Sequence, residues 1–179
     1  AGKGSGKAVF LYKTGFYTDT YNPNDMGYLA RNNVIWNNLT HRYTNFSPKM
    51  FFINWTYTFD FIYRTLYRTL DYYKTEASWS FSGTLHNYSI IQVELSSEPY
   101  KRKDHFEPRT AGRYSYYPAY VGGSTSYTSD TRKNMYGYIT LGHWRNELRY
   151  NYLGLGSMMK LTNRLTLQPS FSVEQSNND

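Results

Sequence analysis

Cysteine is absent from the 179 residues, which excludes disulfides, thiolate-bound zinc and iron–sulfur clusters. Charged residues are scarce at 18%, below the usual quarter of a soluble domain, so Tyr, Ser, Thr and Asn take the water-facing role that Lys and Glu normally fill. No apolar run reaches the roughly 18 residues of a transmembrane helix, and no segment carries a helical period. A membrane barrel survives that exclusion, because its strands alternate and keep mean hydropathy low. His41, His86, His105 and His143 lie on separate segments without ligand spacing, so neither a metal site nor a catalytic triad is expected. The opening AGKGSGKAVF spaces Gly6 and Lys7 as a phosphate loop does. Ala8, however, replaces the Ser or Thr that would ligand magnesium, and a strand follows where a helix is needed. It reads as a linker or loop. No cofactor and no catalysis are expected.

Aromatic residues, by contrast, make up 20% of the chain, with 21 Tyr, 10 Phe and 4 Trp, and their placement is periodic. In FFINWTYTFDFIYR, alternate positions are Phe51, Ile53, Trp55, Tyr57, Phe59, Phe61 and Tyr63, against a second set containing Asn54, Thr56, Thr58 and Asp60. Period two with unlike faces is a strand. The pattern returns between 74 and 85, where Ala77, Trp79, Phe81 and Leu85 oppose Ser78, Ser80, Ser82 and Thr84. Further strands are expected over 8–16, 31–44, 89–95, 120–128, 135–144, 148–160 and 165–173, about nine in all, with long connections near 17–28 and 97–118 and mostly short ones elsewhere.

Several of these strands exceed the roughly 9–11 residues that cross a membrane at a tilt, whereas ordinary strands average about 5–6. Their polar faces present Asn, Thr and Ser, which suits a wet lumen. The expected fold is therefore all-β: one domain over 1–179, an antiparallel up-and-down meander forming a transmembrane β-barrel or an incomplete segment of one. Phe51, Ile53, Trp55, Tyr57, Phe59, Phe61, Tyr63, Trp79 and Phe81 are the lipid-facing candidates, with Trp144, Tyr150, Tyr152, Tyr63 and Tyr88 near strand ends as an aromatic girdle. Arg42 and Arg149 must then face the lumen or a rim. The odd strand count and the polar EQSNND ending suggest incompleteness, and Ala1 without a signal peptide suggests a mature or excised segment. The alternative is a soluble glycan-binding β-sandwich that stacks sugars on exposed Tyr and Trp.

The net charge of +7 favours anionic partners. In PYKRKDHFEPR and just beyond it, Lys101, Arg102, Lys103, Arg109 and Arg113 form a basic loop suited to lipopolysaccharide headgroups or a glycan, and nucleic acid is not expected. Solvation, with Asp104 and Glu107 offsetting charge, is the plainer reading of that loop. Asp60 and Glu94 could meet as a carboxylate pair, but nothing fixes their separation. The sequons at Asn38, Asn45, Asn54 and Asn87 fall where chance places them in so Asn-, Ser- and Thr-rich a chain.

At YNPNDMGYLARNN, through Asn22, Asn24, Asp25, Gly27, Tyr28, Arg31 and Asn32, the sequence resembles a large family of outer-membrane proteins of unknown function from Bacteroidota. FEPRTAGR (106–113) and TSDTRK (128–133), with Ser129 where a Thr is expected, resemble it too. Members join an N-terminal carbohydrate-binding-like β-sandwich to a C-terminal membrane β-barrel, and the resemblance lies within the barrel. It implies a barrel in the bacterial outer membrane and carries over no catalytic residue.

Overall fold

The computed structural model describes residues 1–21, 32–108, 110 and 112–178. Thirteen strands and no helix form among them: β1 (Gly2–Lys3), β2 (Ala8–Tyr17), β3 (Val34–Asn45), β4 (Phe52–Leu66), β5 (Tyr72–Leu85), β6 (Ile90–Glu98), β7 (Arg102–Asp104), β8 (Ser115–Tyr117), β9 (Tyr120–Thr128), β10 (Met135–Arg145), β11 (Leu148–Lys160), β12 (Thr166–Leu167) and β13 (Ser170–Asn178). Eleven belong to one antiparallel sheet in the order β1-β2-β3-β4-β5-β6-β9-β10-β11-β12, with β13 also on β11, while β7 and β8 form a separate hairpin. The expected meander is present. Among the described residues β13 pairs only with β11, and β2 beyond the short β1 has only β3, so the sheet's outer strands do not pair with each other and no closed barrel forms among them. Nor does a second sheet cover either face among the described residues, as a sandwich would require.

β12 and β13 are one strand interrupted chemically. Met159↔Leu167 and Gly156↔Ser170 keep a single register, and Ser157 N–H donates to Pro169 O at 3.1 Å. Pro169 has no N–H to return that bond, so the ladder breaks without a change of register.

Because antiparallel partners share a face, the register sorts every side chain. One face carries Tyr43, Tyr57, Phe81, Val93, Leu141, Leu153 and Val173 along consecutive pairings, and the other carries Thr40, Asp60, Ser78, Ser96 and Gly122. Very little is enclosed. The buried apolar side chains are Val9, Val34, Leu66 and Tyr73, whereas Leu95, Val121, Leu141 and Phe171 are each more than half exposed, at 52%, 59%, 53% and 62%. Burial of an apolar core is therefore not what orders this sheet.

Aromatic rings laid across glycines contribute instead. On the polar face a Cβ at Gly15 would stand 2.5 Å from the Trp36 ring, one at Gly142 2.3 Å from Trp144, and one at Gly156 2.3 Å from Tyr138. Each ring occupies the space its glycine vacates, which is the packing reason for Gly inside a strand.

Two bulges shift the faces near strand ends. Between Phe52↔Leu85 and Asn54↔Thr84, Ile53 is the extra residue; between Arg64↔Lys74 and Thr65↔Tyr72, Tyr73 is extra. Phe51 therefore lies outside β4, and Phe52 takes the aromatic face, its ring 5.4 Å edge-on to Phe81. This corrects the expectation for Phe51 and Ile53, because a bulge resets the period-two count. Trp144, Tyr150 and Tyr152 also depart from the expected girdle: Trp144 pairs with Tyr150, beside Gly122, and Tyr152 with Gly142, all on the polar face. The opening AGKGSGK is not a plain linker, since Gly2 and Lys3 pair with Leu11 and Phe10.

Overpacking of a filled site costs about 1–3 kcal/mol. We expect Gly142→Ala to lower the urea midpoint of the chain in detergent micelles by a shift of that size. Gly4→Ala, whose new methyl meets only Leu11 at 3.9 Å, leaves the midpoint in place.

Candidate functional site

The aromatic face is densest on β3, β4 and β5. Tyr43 lies 5.3 Å from Trp55, Trp55 6.1 Å from Tyr57 and 6.3 Å from Phe81, and Phe81 6.2 Å from Trp79. Cross-strand pairing places Tyr57 opposite Phe81, Phe59 opposite Trp79 and Phe61 opposite Ala77, so of the sequence candidates Trp55, Tyr57, Phe59, Phe61, Tyr63, Trp79 and Phe81 share one surface. Aromatic pairs of this kind contribute roughly 0.5–1.5 kcal/mol each beyond area, and they pin the register. Polar groups on this face are satisfied locally: Asn37 Oδ1 accepts from Tyr12 at 2.7 Å and Thr14 at 2.9 Å, and His143 bonds Asn151 at 2.7 Å.

The apolar residues do not run straight along the rungs. On β4 they centre near Phe59, whose rung continues through Trp79, Leu95 and Gly123 to His143 and Asn151. On β11 they centre near Leu155, beside Ile139 and Phe171. The band thus climbs by about four residues, roughly 13 Å, while crossing roughly 24 Å of sheet, a slope of about 30° to the rungs. Beyond it on β10 and β11 stand Arg145 and Arg149, paired at the 146–147 turn, while Arg42 lies on the polar face opposite Thr58.

The two ends of the sheet differ. Connections 46–51, 86–89, 129–134 and 161–165 are short and share one end, whereas 18–33 and 99–119 share the other with turns 67–71 and 146–147. The described part of connection 18–33 is closed on itself and tied to the 67–71 turn, and connection 99–119 is tied to β5. Asn33 N–H donates to Thr18 O at 3.1 Å, Asn33 Oδ1 accepts Arg68 N–H at 3.0 Å, and Asn32 donates to Asp19 O at 2.8 Å. From the other connection, His105 Nε2 meets Tyr72 O at 3.2 Å and Phe106 packs edge-on against Tyr73 at 5.7 Å. Asp104 opens that loop with an Asx turn, accepting the Phe106 and Glu107 amides at 2.9 and 3.2 Å.

Between the loops lies a cavity of ≈ 560 Å³ lined by Asp19, Arg68, Asp71, Lys103, His105 and Arg113, among others. The predicted basic loop is only partly available there. Arg102 reaches Glu98 at 3.7 Å and stacks 4.3 Å over Tyr117, and Lys103 lies 5.2 Å over Tyr114. Lys101 is exposed, Arg113 lines the cavity, and Arg109 lies outside the described residues. Donation from Tyr117 to Glu107 at 2.9 Å raises the phenol's pKa. A second cavity, ≈ 350 Å³ on the polar face beside this rim, is lined by Lys13, Tyr17, Val34, Trp36, Asn38, Arg64 and Tyr73. The sequence reading missed it, although Gly15 inside a strand was the available signal.

No cluster of three metal-ligating side chains exists among the described residues. Asp60 accepts from Thr40 at 2.5 Å, and β5 separates it from Glu94, which sits opposite Ser80 and Ser124.

A family model described as "Domain of unknown function (DUF5916)" matches residues 1–179. The chain belongs to this DUF5916 family. No curated protein and no solved structure matches it. Of the stretches carrying the outer-membrane resemblance, 22–31 lies outside the described residues, whereas TSDTRK runs from the last residue of β9 through Lys133 of the 129–134 turn of this DUF5916 domain.

In that turn Arg132 donates to Asp130 through Nε at 2.8 Å and Nη2 at 2.9 Å, and its guanidinium lies 3.1 Å over the Tyr88 ring. Hydrogen bonding from Arg132 holds the Asp130 carboxyl at about 2, below its ordinary 3.8. A depressed folded pKa stabilises the turn fully above the ordinary value, and the stabilisation disappears as pH falls through the folded one. Protection of the Arg132 amide, which donates to Asp130 Oδ1 at 3.1 Å, should drop between those two pH values once intrinsic exchange is corrected for. In Asp130→Asn that step is absent.

Proposed function

We propose that this DUF5916 chain is the membrane-embedded part of a bacterial outer-membrane β-barrel, with its aromatic face against lipid and its Ser-, Thr- and Gly-rich face toward the lumen. The oblique apolar band carries the reading. Strands of outer-membrane barrels tilt by about 35–45°, so a level hydrocarbon layer must cross their rungs at such an angle, and the band's slope of about 30° approaches it. On β4 the stretch from Trp55 to Tyr63 extends roughly 27 Å along the strand, which at a tilt of about 35–45° covers roughly 19–22 Å of depth, most of an apolar band about 25 Å tall.

The remaining features agree with that role. A single layer with four buried apolar side chains among the described residues has no reason to expose so many others to water, but every reason to expose them to hydrocarbon. Both long connections lie at one end, and the other end carries only connections of six residues or fewer, as the periplasmic side of such barrels does. The long-loop end then carries Lys101, Arg113 and Arg68 toward lipopolysaccharide phosphates. Backbone groups on the outer edges of β2 and β13 cannot remain open in lipid, so further strands complete the barrel. No catalytic step and no cofactor enter this reading.

Detergent phase separation of the purified chain tests it: recovery in the detergent-rich phase is expected, and complete recovery as a monomer in the aqueous phase overturns it. Two substitutions refine the test. Leu141→Arg places a charge on the apolar face, where an Arg at mid-depth costs about 2–4 kcal/mol, so assembly into lipid vesicles should fall by that amount. Ser124→Arg, on the polar face opposite Glu94, leaves assembly near the parent value.

A further inference from the structure

The ≈ 350 Å³ cavity on the polar face has a donor and an acceptor with nothing to bond. Arg64 Nε and Asn38 Oδ1 are both shut off from solvent without a hydrogen-bond partner. Both belong to residues lining this cavity. Native chains seldom strand such groups, because each forfeits its hydration without replacement.

The charge around them has one sign. Lys13 and Arg64 line the cavity, and no carboxylate does among the described residues. The nearest acid by register, Glu76, lies diagonally from Arg64 and is engaged by Lys74 at 2.6 Å. A guanidinium and an ammonium lining one cavity, with no carboxylate among its described lining residues, form a site for an oxyanion. One wall is flat. The Trp36 ring lies over Gly15, where any Cβ would meet it at 2.5 Å, and it stands between Lys13 and Tyr17 on the same face. Tyr73, pushed out of register by its bulge, lines the cavity opposite. Aromatic platforms of this kind receive the C–H face of a sugar ring, and the volume lies in the range of about 300–1,000 Å³ usual for small-molecule sites.

The geometry points to a binding site for an acidic monosaccharide, a sugar ring bearing a carboxylate or phosphate. Its anionic group meets Lys13 and the Arg64 guanidinium, one ring face lies on Trp36, and a small rotation of the Asn38 amide, whose Oδ1 is closed to water in the free chain, lets it accept from a ring hydroxyl. The three requirements come from three strands. Lys13 rises from β2, Trp36 and Asn38 from β3, and Arg64 from β4, where Lys13↔Asn38 and Trp36↔Arg64 are cross-strand partners. The site therefore exists wherever the β2–β4 register holds, in detergent as in lipid, and it does not rest on the membrane reading.

Isothermal titration of the chain in detergent micelles, with D-glucuronate, D-glucose 6-phosphate, methyl glucoside and inorganic phosphate as separate probes, tests the assignment. Saturable binding of at least one acidic sugar is expected, with methyl glucoside and inorganic phosphate each about ten-fold weaker or more, since each lacks one half of the recognition. Preference for glucuronate assigns a uronic acid, and preference for glucose 6-phosphate a sugar phosphate. Arg64→Gln should weaken acidic-sugar binding about ten-fold. Should that partly buried change perturb the sheet, Lys13→Gln at an exposed position weakens the same binding several-fold with the fold intact, and Trp36→Leu removes the preference over inorganic phosphate. Equal binding of methyl glucoside, equal binding of inorganic phosphate, no saturation by either acid, or an unchanged Lys13→Gln overturns the proposal.

Discussion

Register between neighbouring strands is the constraint on which every other feature depends. The side-chain period of a strand is two, so a slip of one residue at any interface would carry Trp55, Tyr57 and Phe59 onto the Thr and Ser face and bring Asp60 and Arg42 among the rings. In a sandwich a second sheet would penalise that error. Here the penalty arises within the sheet, from the ring ladder on β3, β4 and β5 and from rings of a neighbouring strand seated over Gly15, Gly122 and Gly156. A shifted register would set those rings against Cβ atoms instead of glycines. Order in this layer is thus specified by knobs and vacancies along the strands, with little contribution from enclosed volume.

That mode of specification decides what the sequence reveals. Alternation is a local signal, so strands 120–128 and 148–160 agree with the observed β9 and β11 residue for residue, and most other strands agree to within a few. Bulges leave no trace in alternation. Phe51, Phe52 and Ile53 are all apolar, and only the pairing of Phe52 with Leu85 determines which of them joins the aromatic face. The misplacement of Trp144, Tyr150 and Tyr152 has a different origin: nearness to a strand end says nothing about parity, and parity set them beside Gly122 and Gly142. β7 and β8 escaped notice because three residues cannot display a period, and their positions depend on the Asp104 turn and the His105–Tyr72 contact.

The cavities were illegible for a related reason. Lys13, Trp36, Asn38, Arg64 and Tyr73 are spread along four strands, and no spacing in the chain announces that they converge. Their proximity follows from pairing, and pairing partners over that distance are a property of the assembled sheet. What sequence does hold is the permissive element. A lone glycine in a strand of otherwise large side chains marks where a ring from the next strand will lie, and Gly15 marks Trp36 in this way.

The sheet's edges extend the same logic outward. Natural edge strands are commonly blunted by Lys, by Pro or by a bulge, which prevents pairing with whatever strand approaches. β13 carries a single charged residue, Glu174, and no Pro, and Pro169 just before it faces β11 through its carbonyl rather than protecting the open side. β1 covers β2 only at Phe10 and Leu11, with Tyr12 bonded further to Ala1, which leaves Lys13 to Tyr17 without an outer neighbour among the described residues. Edges so poorly defended are hazardous in water and useful in a sheet that must be continued, because the same unpaired N–H and C=O groups that invite aggregation also template the next strand. The cavity beside Lys13 and Tyr17 lies next to this open margin, but its charged and amide groups come from β2, β3 and β4, so a strand added to β2 would border the cavity without supplying them.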